Sequence, residues 1–365
     1  MRAAPAGLRP RAASLTDFPL PTAAFAMRTF VVTAALAVLL AASVGAAVAF
    51  GSQEVAFADV YRVLAYRLGL AAAPDATVER IVWHLRLPRA LLALVVGGGL
   101  AVVGVAMQTL VRNPLAEPYI LGISSGAAAG ASLFYLGFLP VLVSQALTLP
   151  FAAFLGGLGT LSVVYMVART GGTVSVGRLL LAGIAMSSLM GAVSSFATFA
   201  SPDPQKLRTV LFWLMGSFSG ARWSLLPLPA AAAALGLVVL AGLSRPLDAL
   251  LVGEEPAHHL GVPVDAVKRL LIVLASLVTG VLVASAGNIG FVGLIVPHAV
   301  RFFTGVTHRR LVPVSFVAGA LFLVWADLAA RVLLPAQELP VGILTALCGV
   351  PFFLVLLRRS SYRFG

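Results

Sequence analysis

The sequence predicts an all-α polytopic membrane protein with ten transmembrane helices, both termini cytoplasmic, short coupling helices and one short outer helix. Three observations predict it. The 365 residues are 60% hydrophobic and 10% charged, whereas a soluble domain carries about 25% charged residues. Apolar runs recur at lengths near the ~20 residues that a helix needs to cross a bilayer. Lysine and arginine are also unevenly divided between loops. With the N-terminus inside, 16 of the 25 fall on the inner side and 9 on the outer, which satisfies the positive-inside rule.

The elements follow in order. Residues 1–27 are rich in Arg, Pro and Ala without helical period and are expected to be a disordered tail, with Met27 a second start. The first span is 30–50. A cleaved signal peptide is the alternative, but the apolar stretch is longer than a usual signal core. Further spans are expected at 89–110, 119–138, 150–168, 178–199, 225–243, 269–286, 289–304, 311–333 and 340–357. The segment 207–221 reads as a short helix or re-entrant piece on the outer side. The span 289–304 is short and carries Pro297, His298 and Arg301. A lipid-facing helix would not hold that trio, so this span is expected against protein. The transmembrane domain is bounded at 28–359, and 360–365 form an inner tail.

Composition also excludes several function classes. The net charge of +12 comes from residues flanking apolar spans, which suits membrane lipid rather than nucleic acid. Cys348 is the single cysteine, so an internal disulfide is impossible and a Cys-based metal site is not expected. It reads as a small packing residue. Small-residue runs such as "VVGGGLAVVGVA" and "FLGGLGTL" suit close helix contact. No GxxxxGK[ST] occurs, so the chain carries no P-loop.

Two polar interruptions stand out. "LVRNPLAEPYILGISSG" holds Pro114 and Pro118, which lack amide donors and block a continuous helix. Either this turn borders a pathway, or it is a surface turn with Arg112 snorkelling to headgroups. "RPLDALLVGEEPAHHLGVPVDAVKRLL" is the longest polar inner segment after the tail. It reads as two short helices broken at Gly261 and Pro263, with Asp265 near the start of the second. Its adjacent His258 and His259 diverge by about 100 degrees on a helix, so solvent-facing side chains are expected rather than a metal site. Asp327 and Arg331 are spaced to pair on one helix face. His298 is expected to be buried and hydrogen-bonded.

Three stretches carry a resemblance: "RLPRALLALVVGGGLAVVGVAMQTLVRNPLAEPYILGISSGAAAGAS", "GNIGFVGLIVPHAVRFFTGVTHRRLVPVS" and "ADLAARVLLPAQELPVGILTALCGVPFFLVLLRR". They closely resemble the FecCD-like, type II permease subunits of ATP-binding-cassette importers for iron complexes, haem and cobalamin. The resemblance implies a symmetric homodimer in the bacterial cytoplasmic (inner) membrane, with a pathway along the dimer axis. It implies two cytoplasmic ATPase subunits, which hold ATP and magnesium, and an outer binding protein that is periplasmic or lipid-anchored. This chain itself would hold no cofactor and catalyse no reaction.

Site residues follow from the same resemblance. Asn113 and Leu115 become inner-gate candidates. The turn "GGTVSVGRLLLAG" adds Ser175, Val176 and Gly177, with a plain small-residue turn as the alternative. The coupling loop, about 245–270, would dock into the ATPase through Glu254, Glu255, Leu260 and Gly261. Here the family pattern of Glu, a small or apolar residue, then Ala-Arg is replaced by Glu255-Pro256-Ala257-His258-His259. Arg86, Arg89 and Arg331 correspond to outer basic knobs that receive carboxylates of the binding protein, a task that suits the planar guanidinium. Alternatively, Arg86 and Arg89 anchor a helix end and Arg331 is consumed by Asp327.

The expected function is import of an iron complex (ferric siderophore or haem) or cobalamin by alternating access. The alternative is an ion-coupled secondary transporter of a small solute. That would need membrane-embedded acids, whereas the 13 acids lie almost entirely in loops or near span ends, Asp327 excepted. An intramembrane enzyme would need paired catalytic groups at one depth, and the sequence offers no convincing pair.

Overall fold

The computed structural model describes residues 23–51, 53, 55–140, 147–170, 173–334 and 337–359. Residues 1–22 and 360–365, within the expected tails, lie outside that set. The chain runs α1 (Ala23–Ala49), α2 (Phe57–Arg67), α3 (Ala76–Val111), α4 (Ile123–Tyr135), α5 (Leu149–Ala168), α6 (Val176–Phe199) and α7 (Pro204–Leu214). It continues through α8 (Pro227–Gly242), α9 (Ser244–Val252), α10 (Glu254–His259), α11 (Val264–Ala286), α12 (Val292–Thr304), α13 (His308–Val332) and α14 (Val341–Arg359). A two-residue antiparallel ladder, β1 (Arg169–Thr170) with β2 (Thr173–Val174), joins α5 to α6.

Among the described residues, seven helices are long and apolar enough to cross a membrane: α1, α3, α5, α6, α8 with its preceding turn, α11 and α13. The chain is a multi-pass membrane protein. Each of the ten expected spans holds a helix, but three are short. α4 has 13 residues because Pro118 to Leu121 wind as a tighter 3-10 turn that ends at left-handed Gly122. α12 also has 13, and the apolar part of α14 is Val341–Leu356.

α3 is the central helix. It packs against α1, α8, α11, α12 and α13, and its Ala, Gly and Val residues are almost all buried. Two glycine contacts let backbones touch. A methyl group on Gly97 would lie 2.2 Å from the Gly319 carbonyl oxygen, and one on Gly104 would lie 2.1 Å from that of Gly293. No larger side chain fits, so dispersion contacts between backbones replace side-chain packing here.

Four local expectations change. α3 starts well before residue 89, because Asp75 caps it through the amides of Thr77 and Val78. The polar segment after α8 forms α9 and α10, separated at Gly253. The helix expected after Pro263 is the start of α11 itself, with Asp265 in its first turn. Cys348 is exposed rather than packed inside the chain. His298 packs edge-on against Phe302 and Phe352, and its Nδ1 has no hydrogen-bond partner among the described residues.

The segment before α12 is non-helical. Its backbone is satisfied by the turn after α3: Phe291 N–H donates to the Glu117 carboxylate, and the Tyr119 hydroxyl donates to the Ile289 carbonyl. Phe291 is left-handed at φ 68, an uncommon state for a bulky residue. Burial pushes the Glu117 carboxyl up to about 7, with the Phe291 N–H pulling the other way. α12 itself lies against protein as expected, with Arg301 donating to the Gln108 side chain on α3.

Candidate functional site

The predicted inner end is built where α3 stops. Arg112 is its left-handed cap at φ 53. The Asn113 amide donates to the Gln108 carbonyl at 3.0 Å. Asn113 Oδ1 accepts from the Leu115 amide at 2.9 Å. The Asn113 side chain is therefore turned onto its own loop, where it supplies the acceptor for the Leu115 amide. Asn113 and Leu115 are half-buried.

The second turn follows the β1–β2 ladder. Ser175 caps α6, its hydroxyl accepting from the Arg178 amide at 3.5 Å. Val176 is half-buried, while Gly177 is exposed beside open space. On the neighbouring α10, Glu254 and Glu255 occupy the first turn, where the helix dipole favours acids. Both Glu254 oxygens accept from buried Lys268 on α11 at 3.1 Å. Leu260 is 72% exposed, and Gly261 is left-handed at φ 81 with open space beside it.

Tertiary packing brings parts of the two turns and α10 together. A cavity of about 470 Å³ is walled by Arg112, Ser175, Val176, Glu254, Asp265 and Lys268, among others. Asn113, Leu115, Gly177, Glu255, Leu260 and Gly261 are not on its wall. Nothing local in the sequence marks Arg112 or Lys268 for this cavity: Arg112 has the pattern of a membrane-surface residue and Lys268 that of an inner loop charge.

Arg86, Arg89 and Arg331 meet at the opposite end. They are 8%, 9% and 7% exposed. The last carbonyls of α1 have no partners within their helix, and these arginines supply them. Arg86 donates to Val48 and Ala49 at 2.9 and 2.7 Å, and Arg331 to Ala47 at 2.8 Å. Arg89 binds Asp327 and also Glu338 at 2.7 Å, and Arg331 pairs with Asp327 at 3.2 Å. The i,i+4 pair is thus present, with Arg89 as a further partner that only the tertiary fold supplies. All three arginines and Glu338 also border a cavity of about 290 Å³.

Among the described residues, no group of three or more His, Cys, Asp or Glu is placed to hold a metal ion. The His258 and His259 rings are 6.5 Å apart and steeply inclined at 87°.

This geometry belongs to a known architecture. The chain is 33% identical to a solved structure described as an inward-facing conformation of a metal-chelate type ABC transporter. That match covers 90% of this chain and 99% of the other, with a TM-score of 0.78. It is 44% identical over 307 residues to a cobalamin import system permease protein, BtuC, of Halobacterium salinarum, covering 82% of this chain and 79% of the relative. It is 44% identical over 293 residues to the hemin transport system permease protein HmuU of Yersinia pestis, covering 78% and 86%. It is 42% identical over 281 residues to the Fe(3+) dicitrate transport system permease protein FecD of Escherichia coli, covering 76% and 85%. Residues 18–359 match the FecCD transport family, a span that includes α3 with its proline turn, the short helices α9 and α10 and the buried arginine cluster, and the chain belongs to that family.

Proposed function

We propose that this chain is the membrane permease subunit of an ATP-driven importer, acting as a homodimer with ten membrane helices per subunit and both termini cytoplasmic. It resides in the bacterial inner membrane and carries a metal chelate, either an iron complex or cobalamin. One observation carries the reading. One cavity at the predicted inner end borders both turns, through Arg112, Ser175 and Val176, and the coupling helix, through Glu254. A protein driven from its cytoplasmic face needs such a junction, because a partner can shift the bundle only through differential contacts with its two arrangements.

In this reading, two ATPase subunits carrying ATP and magnesium dock on exposed Glu255 of α10 and on Leu260 and Gly261 just after it. Asn113, Leu115, Ser175, Val176 and Gly177 form the inner gate at the dimer axis. An outer binding protein delivers the cargo and presents carboxylates to the cavity edge formed by Arg86, Arg89 and Arg331. Asp327 supports this over ion coupling: the acid is buried and neutralised by Arg89 and Arg331, so it is not free to carry an ion.

The test is reconstitution with the ATPase and binding protein in proteoliposomes, measuring uptake of cobalamin, haemin and ferric dicitrate. ATP-dependent uptake of one of them is expected. Uptake driven by a proton or sodium gradient without the ATPase would overturn the reading.

A further inference from the structure

We infer that Asp248, His308 and Thr109 form a positioning tie that carries motion from the coupling segment to the gate turn. The inference rests on the importer reading above.

The three residues come from three helices. His308 opens α13 and is 0% exposed. Its Nδ1 lies 2.6 Å from Asp248 Oδ1 on α9. Its backbone N–H donates to the same oxygen at 2.9 Å. Its Nε2 lies 2.7 Å from the hydroxyl of buried Thr109 on α3. That hydroxyl is also 2.9 Å from the Val105 carbonyl.

The proton arrangement makes the contact robust. An ionised carboxylate only accepts, so Nδ1 carries a hydrogen. A hydroxyl can do either: it accepts from a protonated Nε2 while donating to Val105, or it donates to a bare Nε2. Both arrangements keep the three side chains in place. Thr307, the residue that would cap α13, makes no side-chain cap. Asp248 takes that place from another helix, where its charge also suits the dipole.

The placement is what gives the tie a role in transport. Asp248 lies on α9, separated from the coupling helix α10 only by Gly253. Thr109 lies in the last turn of α3, just before Arg112 and the Asn113–Leu115 turn. A shift of α9 cannot leave α3 behind without stranding a buried imidazole from a polar partner. Lys268 with Glu254 holds α10 to α11 in the same region, so the coupling segment grips the bundle at two points. Of these two polar contacts, the His308 tie is the one that reaches the helix ending at the gate turn.

The experiment uses the complete importer in proteoliposomes, with cobalamin, haemin and ferric dicitrate as probes and uptake per ATP hydrolysed as the readout. Thr109→Val keeps shape and removes the hydroxyl, Thr109→Ser keeps the hydroxyl, and Asp248→Ala removes the acceptor of both His308 N–H groups. Thr109→Val and Asp248→Ala are expected to hydrolyse ATP yet lose roughly twofold to thirtyfold in uptake per ATP, the span over which residues along a coupling route act. Thr109→Ser should stay close to wild type. Unchanged uptake per ATP in both Thr109→Val and Asp248→Ala overturns the tie. A parallel fall of melting temperature and ATPase co-purification in Thr109→Val and Thr109→Ser also overturns it, reducing the contact to packing. Gradient-driven uptake by the wild type without its ATPase overturns the importer reading and the tie together.

Discussion

Arg89 holds Asp327 across 238 residues of sequence, its Nε lying 2.9 and 3.1 Å from the two carboxylate oxygens. Asp327 is 1% exposed, so deleting it would leave Arg89 and Arg331 largely buried beside each other. Removing one partner of a buried pair costs about 3–5 kcal/mol. Asp327→Ala should therefore lower thermal stability in detergent by an amount of that order. A melting temperature equal to wild type would show that solvent replaces the carboxylate.

Arg86 combines an internal role with a proposed external one, and charge reversal separates them. Arg86→Glu removes donors from the Val48 and Ala49 carbonyls, which should cost about 1–3 kcal/mol. It should also slow binding-protein association, an effect that salt weakens. A matching acid-to-arginine change on the binding protein should restore association without restoring the melting temperature. If association at low salt never changes, the arginine serves α1 alone.

Glu117 gives the turn after α3 a pH-dependent stability. Unfolded, its carboxyl ionises near the ordinary 4.5; folded, it keeps its proton up to about 7. Between those values the folded state binds more proton, so stability falls as pH rises. Glu117→Gln cannot ionise and should lose this slope while still accepting from Phe291. Glu117→Ala should cost about 1–3 kcal/mol at every pH by stranding that amide. Melting curves at the two ends of the window check both; an identical slope in Glu117→Gln and wild type would contradict the assignment.

The α3–α12 contact has no room for a methyl group on Gly104. Gly104→Ala would place one 2.1 Å from the Gly293 oxygen, and overpacking of this kind costs about 1–3 kcal/mol. Gly159, on α5, has nothing within 4 Å of the corresponding position. Gly159→Ala should be as stable as wild type or slightly more so, since alanine favours helix. Equal melting temperatures for the two variants would mean that α3 and α12 part easily.

The gate assignment is checked across the proposed two-fold axis. Leu115 is the better probe, because Asn113 is occupied in capping the Leu115 amide. With exposed Cys348 replaced by serine, Leu115→Cys should cross-link between subunits in at least one nucleotide state. Absence of a cross-link in every state would place the turn away from the axis.

The sequence by itself determined where helices form and that most belong in a membrane. Hydropathy is a local property, and a run of apolar residues must satisfy its own amides wherever water is excluded. Proline and glycine also marked the turn after α3, since their backbone restrictions are local. Residues 57–67 carry no span signal, because α2 is short and buries only Val60, Val63 and Ala65. The tertiary structure alone decided the partners of the polar residues. Asp327 was legible as a partner of Arg331, four residues away on the same helix face, but not of Arg89. Arg86 and Arg331 read as outer charges until the open carbonyls of α1 came beside them. Thr109, Asp248 and His308 carried no local signal at all, because a threonine in an apolar helix and an acid in a polar loop look ordinary until folding places an imidazole between them. Helix formation is set by neighbours along the chain, whereas satisfaction of a buried charge is set by whatever chain returns to it.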